Sequence, residues 1–179
     1  MTRGDGFVVV GTSHNTPEFA TNAVQTWWST AGRTAHGAAQ NLLILADSGS
    51  SNGARAHEWK TGLQQIANKT GLKITVAHYP TGASKWNPVE HRLFGPISIN
   101  WAGQPLVDYP TICNLIRGTR TTSGRRCKAV LDRRIWLTKK EKTAAGIDSK
   151  TAMQEVMITH GRNLPHLNYT VVPQAARRN

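Results

Sequence analysis

Two acids in this sequence stand where a carboxylate can act on something other than the fold. Asp47 follows the apolar run Asn41-Leu-Leu-Ile-Leu-Ala46, and Glu90 lies inside Lys85-Trp-Asn-Pro-Val-Glu-His-Arg-Leu-Phe94. The run before Asp47 reads as a buried strand. That puts the acid at the carboxyl end of a sheet, where open α/β folds place their ligands. The small residues after it, Ser48-Gly-Ser-Ser-Asn-Gly53, leave room for a metal ion and a substrate backbone. Glu90 follows Asn87-Pro88 and falls in the first turn of an expected helix, where the macrodipole favours an ionised carboxylate. A strand-end acid and a helix-start acid can meet over one sheet edge, and such a pair suits divalent-metal chemistry on phosphates. Each also has a plainer reading, Asp47 as a turn or capping residue and Glu90 as an ordinary first-turn Glu. Asn52 reads better as a turn or cap residue than as a ligand. No third acid on an earlier strand presents itself.

The surroundings point to an anionic substrate. Lys and Arg number 22 against 10 Asp and Glu, for a net charge of +12, which fits a nucleic-acid partner. Lys85, Trp86 and Arg92 flank Glu90 and could contact phosphates or stack on a displaced base; Trp86 could equally be core. Arg117, Arg120, Arg125, Arg126, Lys128, Arg133 and Arg134 form a basic stretch, either a surface that tracks DNA or a solvated face. Other chemistries fit less well. Cys113 and Cys127 make no closely spaced metal-binding pair, and free thiols in a reducing compartment are expected. The segment 49–53 lacks the pattern of a nucleophile elbow and that of a phosphate-binding loop. The N-terminus lacks an apolar signal segment, and no apolar run could span a bilayer. The chain therefore reads as intracellular.

The elements that must position these residues follow from periodicity. Residues 7–11 read as a strand. Thr16 caps a helix with Pro17 at its first position and Glu18 in its first turn; Phe19, Ala23 and Trp27 fall on one face, and the stretch 32–37 breaks it. Residues 42–45 form a continuous apolar run, expected of a strand buried on both faces of a parallel sheet. A helix over 54–69 buries Trp59, Leu63, Ile66 and Ala67 and ends at Gly71. Residues 72–77 alternate as a strand. Another helix runs from about 88 to 103, and a short one starts at Tyr109-Pro110. Residues 118–136 read as a basic hairpin. Thr138-Lys-Lys-Glu141 has capping-box spacing, and residues 168–172 are a candidate final strand. The strand–helix–strand–helix order implies an α/β layer with parallel strands.

Four blocks carry a resemblance. They are Val8-Val-Val-Gly-Thr-Ser-His-Asn-Thr-Pro-Glu-Phe-Ala20, Ala46-Asp-Ser-Gly-Ser-Ser-Asn-Gly-Ala-Arg55, Pro80-Thr-Gly-Ala-Ser-Lys-Trp-Asn-Pro-Val-Glu-His-Arg-Leu-Phe94 and Asn100-Trp-Ala-Gly-Gln-Pro-Leu106. Together they resemble DDE-type transposases of the Rhodopirellula type over nearly the whole chain, with the Lys-Trp-Asn and Glu-His-Arg block the most specific. The resemblance implies an α/β fold, a ribonuclease H-like mixed sheet flanked by helices, in which three acids hold two Mg²⁺ or Mn²⁺ ions. It makes Asp47 the second acid and Glu90 the third. It places the first on a strand upstream of Met1, so the domain is expected to be N-terminally truncated; Asp5, in a turn before residues 7–11, substitutes poorly. Strand 7–11 would then be an outer strand, unless it shifts inward to pair with 42–45. Acids are also expected near Ser13 and Asn15, which are neutral here. The domain reading is a partial catalytic domain over 1–105 and a basic extension over 106–179 packed on it. The implied function is DNA cleavage and strand transfer by two-metal phosphoryl transfer; the alternative is a catalytically inactive DNA-binding remnant. The implied partners are transposon-end and target DNA, with a homo-oligomer on DNA allowed and no membrane. The implied location is the cytoplasm, at the nucleoid. Asp47 and Glu90 are the expected catalytic and metal-binding residues. Lys85, Trp86, Arg92, Arg125, Arg126, Lys128 and Arg133 are the expected DNA contacts.

Overall fold

A computed structural model describes residues 5–47, 49, 51–80, 82–147 and 156–174. In chain order the elements are β1 (Phe7–Gly11), α1 (Pro17–Trp27), α2 (Arg33–His36), β2 (Asn41–Ala46), α3 (His57–Thr70), β3 (Lys73–His78), α4 (Gly95–Trp101), α5 (Tyr109–Gly118), β4 (Lys128–Asp132), α6 (Lys139–Ala144), β5 (Ile158–His160) and β6 (Asn168–Val171). They fall into two compact units, one from residues 1–14 and 82–135, the other from 15–81 and 136–179. Each unit thus draws on sequence from both sides of residue 105.

The larger unit holds a four-stranded sheet in the order β2-β3-β6-β5. β2 and β3 run parallel, with Leu42 opposite Ile74 and Ala46 opposite His78. β6 is antiparallel to both β3 and β5. The sheet is therefore mixed, as expected, and residues 168–171 do form its added strand. α3 covers one face. Its Trp59, Leu63, Ile66 and Ala67 are buried with Leu72, Ile74, Val76, Tyr169 and Val171, the face that helical spacing predicted.

β2 departs from its reading as a strand buried on both faces. It is an edge strand of the described sheet; Leu42 and Ile44 pack on the core, while Leu43 and Leu45 are 61% and 42% exposed. An unbroken apolar run does not say how many faces will be covered. α1 also differs. Thr16 caps it as expected, its hydroxyl accepting from Phe19 N at 3.3 Å. Its packed face, however, is Ala20, Val24 and Trp27, continued by Trp28 beyond its end, not Phe19 and Ala23. Gly32 does not break the helical run, which ends only at Gly37, the far end of the expected stretch. A π turn over Trp28–Gly32 leads straight into α2. A Cβ on Gly32 would lie 2.8 Å from the Trp28 ring and 3.1 Å from that of Trp27, so glycine here serves close packing against two indoles.

The smaller unit pairs β1 with β4 in parallel, Phe7 opposite Lys128 and Gly11 opposite Asp132. Its core is Ile97, Cys113, Ile116, Cys127 and Ala129, joined by Val8, Val10, Leu93, Trp101, Ile112 and Leu131. Both cysteines are buried free thiols, and burial raises the Cys127 pKa. The expected basic hairpin narrows to one antiparallel bridge, Arg120 to Arg126, around the turn at 121–124. The strand after it leaves the hairpin because its apolar residues pair with β1. Among the described residues, no helix is long and apolar enough to cross a membrane.

Candidate functional site

Asp47 lies at the carboxyl end of β2, within the larger unit. The parallel register with β3 sets Ala46 beside His78, and Tyr79 N donates to Ala46 O at 2.8 Å. Asp47 and His78 thus occupy one edge of the sheet. The Asp47 side chain is exposed, and its Oδ1 accepts from Gly49 N at 3.3 Å. Its peptide carbonyl is held from below: His78 Nδ1 lies 3.2 Å from Asp47 O. A carbonyl can only accept, so Nδ1 carries the proton. Burial lowers the His78 pKa, with Lys60 adding to the effect and the contacts to Asp47 opposing it. The ring is therefore neutral, and its Nε2 accepts from the Tyr169 hydroxyl at 3.3 Å. That hydroxyl in turn accepts from Trp59 Nε1 at 2.9 Å. Burial pushes the Tyr169 pKa up to about 12, partly offset by the Trp59 bond, so the phenol keeps its proton. Each polar group in this chain from Trp59 to the Asp47 carbonyl is matched donor to acceptor, which fixes its orientation.

The loop after Asp47 shows whether a cation fits. A Cβ on Gly49 would lie 3.0 Å from Asp47 Oδ1, 3.4 Å from Asp47 Oδ2 and 3.4 Å from Asn52 Oδ1. Three oxygens therefore border the small space left by the missing side chain. Asn52 Oδ1 is buried and has no hydrogen-bond partner among the described residues. Hard, acceptor-only oxygens around one space are the donor type that Mg²⁺ and Mn²⁺ take. Among the described residues, no group of three or more His, Cys, Asp and Glu side chains is placed to hold a metal ion.

Glu90 lies in the smaller unit. It opens a π turn, Glu90–Phe94, in which Gly95 N closes onto Glu90 O. Pro96 follows; it has no N–H to donate back to Arg92, and the regular ladder is already broken there. The side chain of Glu90 is exposed. The turn before it is well tied. Asn87 Oδ1 accepts from Val89 N at 3.2 Å, Trp86 N donates to Ala83 O at 3.0 Å, and His91 Nε2 donates to Lys85 O at 2.8 Å. His91 thus serves its own turn. Trp86 is 71% exposed, so it is not core, and Lys85 Nζ stands 5.0 Å over its ring. Arg92 is exposed on the same segment.

The basic residues of this unit divide by what they already bind. Arg117 donates to Ala129 O at 2.9 and 3.2 Å, stitching α5 to β4. Arg134 pairs with Asp132 at 2.8 and 3.0 Å, and Arg120 donates to Gly124 O. Arg125 reaches Asp5 at 3.5 Å in an exposed pair. Arg126, Lys128 and Arg133 are exposed and make no ion pair with a described residue.

A family model described as Rhodopirellula transposase DDE domain matches residues 1–173. The chain belongs to that family. No curated protein and no solved structure matches it. DDE transposase domains generally use divalent metal ions, and the mixed α/β architecture is compatible with a ribonuclease H-like fold. In this DDE domain most described acids serve the fold. Asp5 pairs with Arg125, Glu18 with Lys142 and Asp132 with Arg134. Asp108 caps α5 through Thr111 N at 2.7 Å, and Glu141 completes the capping box with Thr138. Glu58 sits in the first turn of α3. Among the described residues, Asp47 and Glu90 are the exposed acids with neither an ion pair nor a capping role. Sequence reading put Trp59 in the core, but gave neither it nor His78 and Tyr169 a place at the site. Only the register of β2 against β3 and of β3 against β6 brings them under Asp47.

Proposed function

We propose that this transposase domain contributes Asp47 and Glu90 as metal-binding carboxylates for phosphoryl transfer on DNA. The observation that supports this most is that, among the described residues, these two exposed carboxylates make no ion pair and cap no helix, while Asp5, Glu18, Asp108, Asp132 and Glu141 are engaged. Divalent ions at such carboxylates activate a water or a DNA 3′-hydroxyl and stabilise the leaving oxygen. The chain's own groups do the rest. Asp47 offers both carboxylate oxygens at the sheet edge, and the neutral His78 holds its peptide in place. Glu90 offers its carboxylate from a tied turn. Lys85, Arg92, Arg125, Arg126, Lys128 and Arg133 take phosphates, and Trp86 offers an open ring to a base.

A second reading, a DNA-binding remnant without catalysis, draws support from Ser13 and Asn15, neutral where acids are expected. It also draws support from the lack of a third acid in this sequence that fits the expected triad. Two-metal phosphoryl transfer needs several carboxylates to organise its ions, so this chain alone is expected to nick DNA little or not at all. Supercoiled plasmid with Mg²⁺ or Mn²⁺, the chain and its Asp47→Ala variant tests this. Robust nicking that disappears in the variant would refute the remnant reading and mean that another residue supplies the first carboxylate. Robust nicking that survives in both Asp47→Ala and Glu90→Ala would refute the carboxylate assignment.

A further inference from the structure

We propose that Asn52 is a further ligand to the cation that Asp47 holds, and that Gly49 is the residue whose missing side chain leaves the cation room. This rests on the reading of Asp47 as a metal ligand. Three observations converge on it. Asn52 Oδ1 is buried without a hydrogen-bond partner among the described residues, a condition that native folds seldom leave unexplained. Both carboxylate oxygens of Asp47 and this amide oxygen lie within 3.4 Å of one point, the place a Gly49 Cβ would take. The Asp47 carboxylate and the Asn52 amide oxygen are both acceptors, so a cation in that space would be met by both.

The loop is built to keep this arrangement. Gly53 packs on the Gly49 carbonyl so closely that a Cβ there would meet it at 2.8 Å, which sets Gly53 back against Gly49. Ser51, beside Asn52, is buried. Ala56 N donates to Gly53 O at 2.9 Å, leading into α3. Asn52 is thereby fixed on the side of Asp47 and not left as a free turn residue. A neutral amide oxygen beside a carboxylate suits a hard divalent cation that must also bind a substrate phosphate, since it adds a donor without adding negative charge.

The test is a Mn²⁺ titration of the ¹⁵N-labelled full chain, read as paramagnetic broadening of backbone amide signals. Broadening is expected to begin at residues 47–53. Asn52→Leu, close in size but without the oxygen donor, should weaken the apparent Kd at least fivefold. Asn52→Asp, which keeps an oxygen at the same place, should restore it or tighten it. Gly49→Ala, whose Cβ enters the shared space, should also weaken it, with amide signals outside the loop unchanged. If Asn52→Leu binds Mn²⁺ as tightly as the parent while Asp47→Asn loses binding, Asn52 holds no more than water or the turn, and the proposal falls while Asp47 stands. If the parent shows no broadening at 47–53, the Asp47 reading and the proposal fall together. Should Asn52→Leu misfold, an unchanged Kd in Gly49→Ala overturns the proposal by itself.

Discussion

His78 joins a core strand to the residue at its edge. Its Nδ1–H holds the Asp47 carbonyl and its Nε2 takes the Tyr169 proton, so one imidazole satisfies a carbonyl and a hydroxyl at once. His78→Phe keeps a ring of similar size and loses both bonds. The Tyr169 hydroxyl, on a residue 1% exposed, would be left with a proton and no acceptor. An unsatisfied buried group of this kind costs about 1–3 kcal/mol. Urea denaturation should show a loss of that size. His78→Asn, whose amide can still donate to Asp47 O, should recover part of it. A His78→Phe variant as stable as the parent would mean that this chain of bonds contributes nothing to stability.

At the scale of elements, α1 and α6 are joined by the Glu18–Lys142 pair, in the larger unit. Burial works to raise the Glu18 pKa, but the Lys142 ammonium, the residue's own backbone N–H and the Thr16 hydroxyl outweigh it, and the net shift is downward. A carboxyl with a lowered folded-state pKa stabilises the fold above its unfolded value. That contribution is lost as pH falls from about 4.5 through the lower folded value. Acid unfolding of Glu18→Gln should therefore be less steep below pH 4.5 than that of the parent. Identical acid profiles would remove the pair from the account. The π turn after α1 carries a packing prediction. Gly32→Ala inserts a methyl against Trp27 and Trp28, and overpacking costs about 1–3 kcal/mol. That outweighs the ~1 kcal/mol by which Ala normally exceeds Gly in a helix. The melting temperature should fall; a rise would show that the two indoles move apart freely.

For the whole molecule, the charge of +12 predicts that the proposed binding to DNA is electrostatic and tolerant of sequence. The structure narrows which cations should matter. Arg126, Lys128 and Arg133 are exposed and unpaired with any described acid, whereas Arg117 is engaged with Ala129 O. Replacing the first three by Ala should weaken binding alike on unrelated duplexes. It should also reduce the slope of log K against log salt by about 0.9 for each phosphate that is no longer neutralised. Arg117→Ala should lower stability and leave that slope nearly unchanged. A flat salt dependence in the parent would overturn the electrostatic reading.

Local signals were enough for much of this. The caps at Thr16 and Thr138, the apolar face of α3, the strands at 7–11 and 73–78 and the acid after β2 are all set by interactions a few residues long. The blocks around Asp47 and Glu90 carried the family. What local pattern could not contain was pairing. That β1 joins β4, that β2 stands at a sheet edge with Leu43 exposed, and that Trp86 points to solvent depend on which distant segment covers each face. The same holds for the site. His78 and Tyr169 reach Asp47 through strand registers spanning 31 and 91 residues of sequence. Asn52, which reads as a turn residue, gains a second meaning only when the folded loop brings its amide oxygen to the same small space as the Asp47 carboxylate. Hydrophobic periodicity records which face of an element is apolar, and only the packed chain decides what meets it.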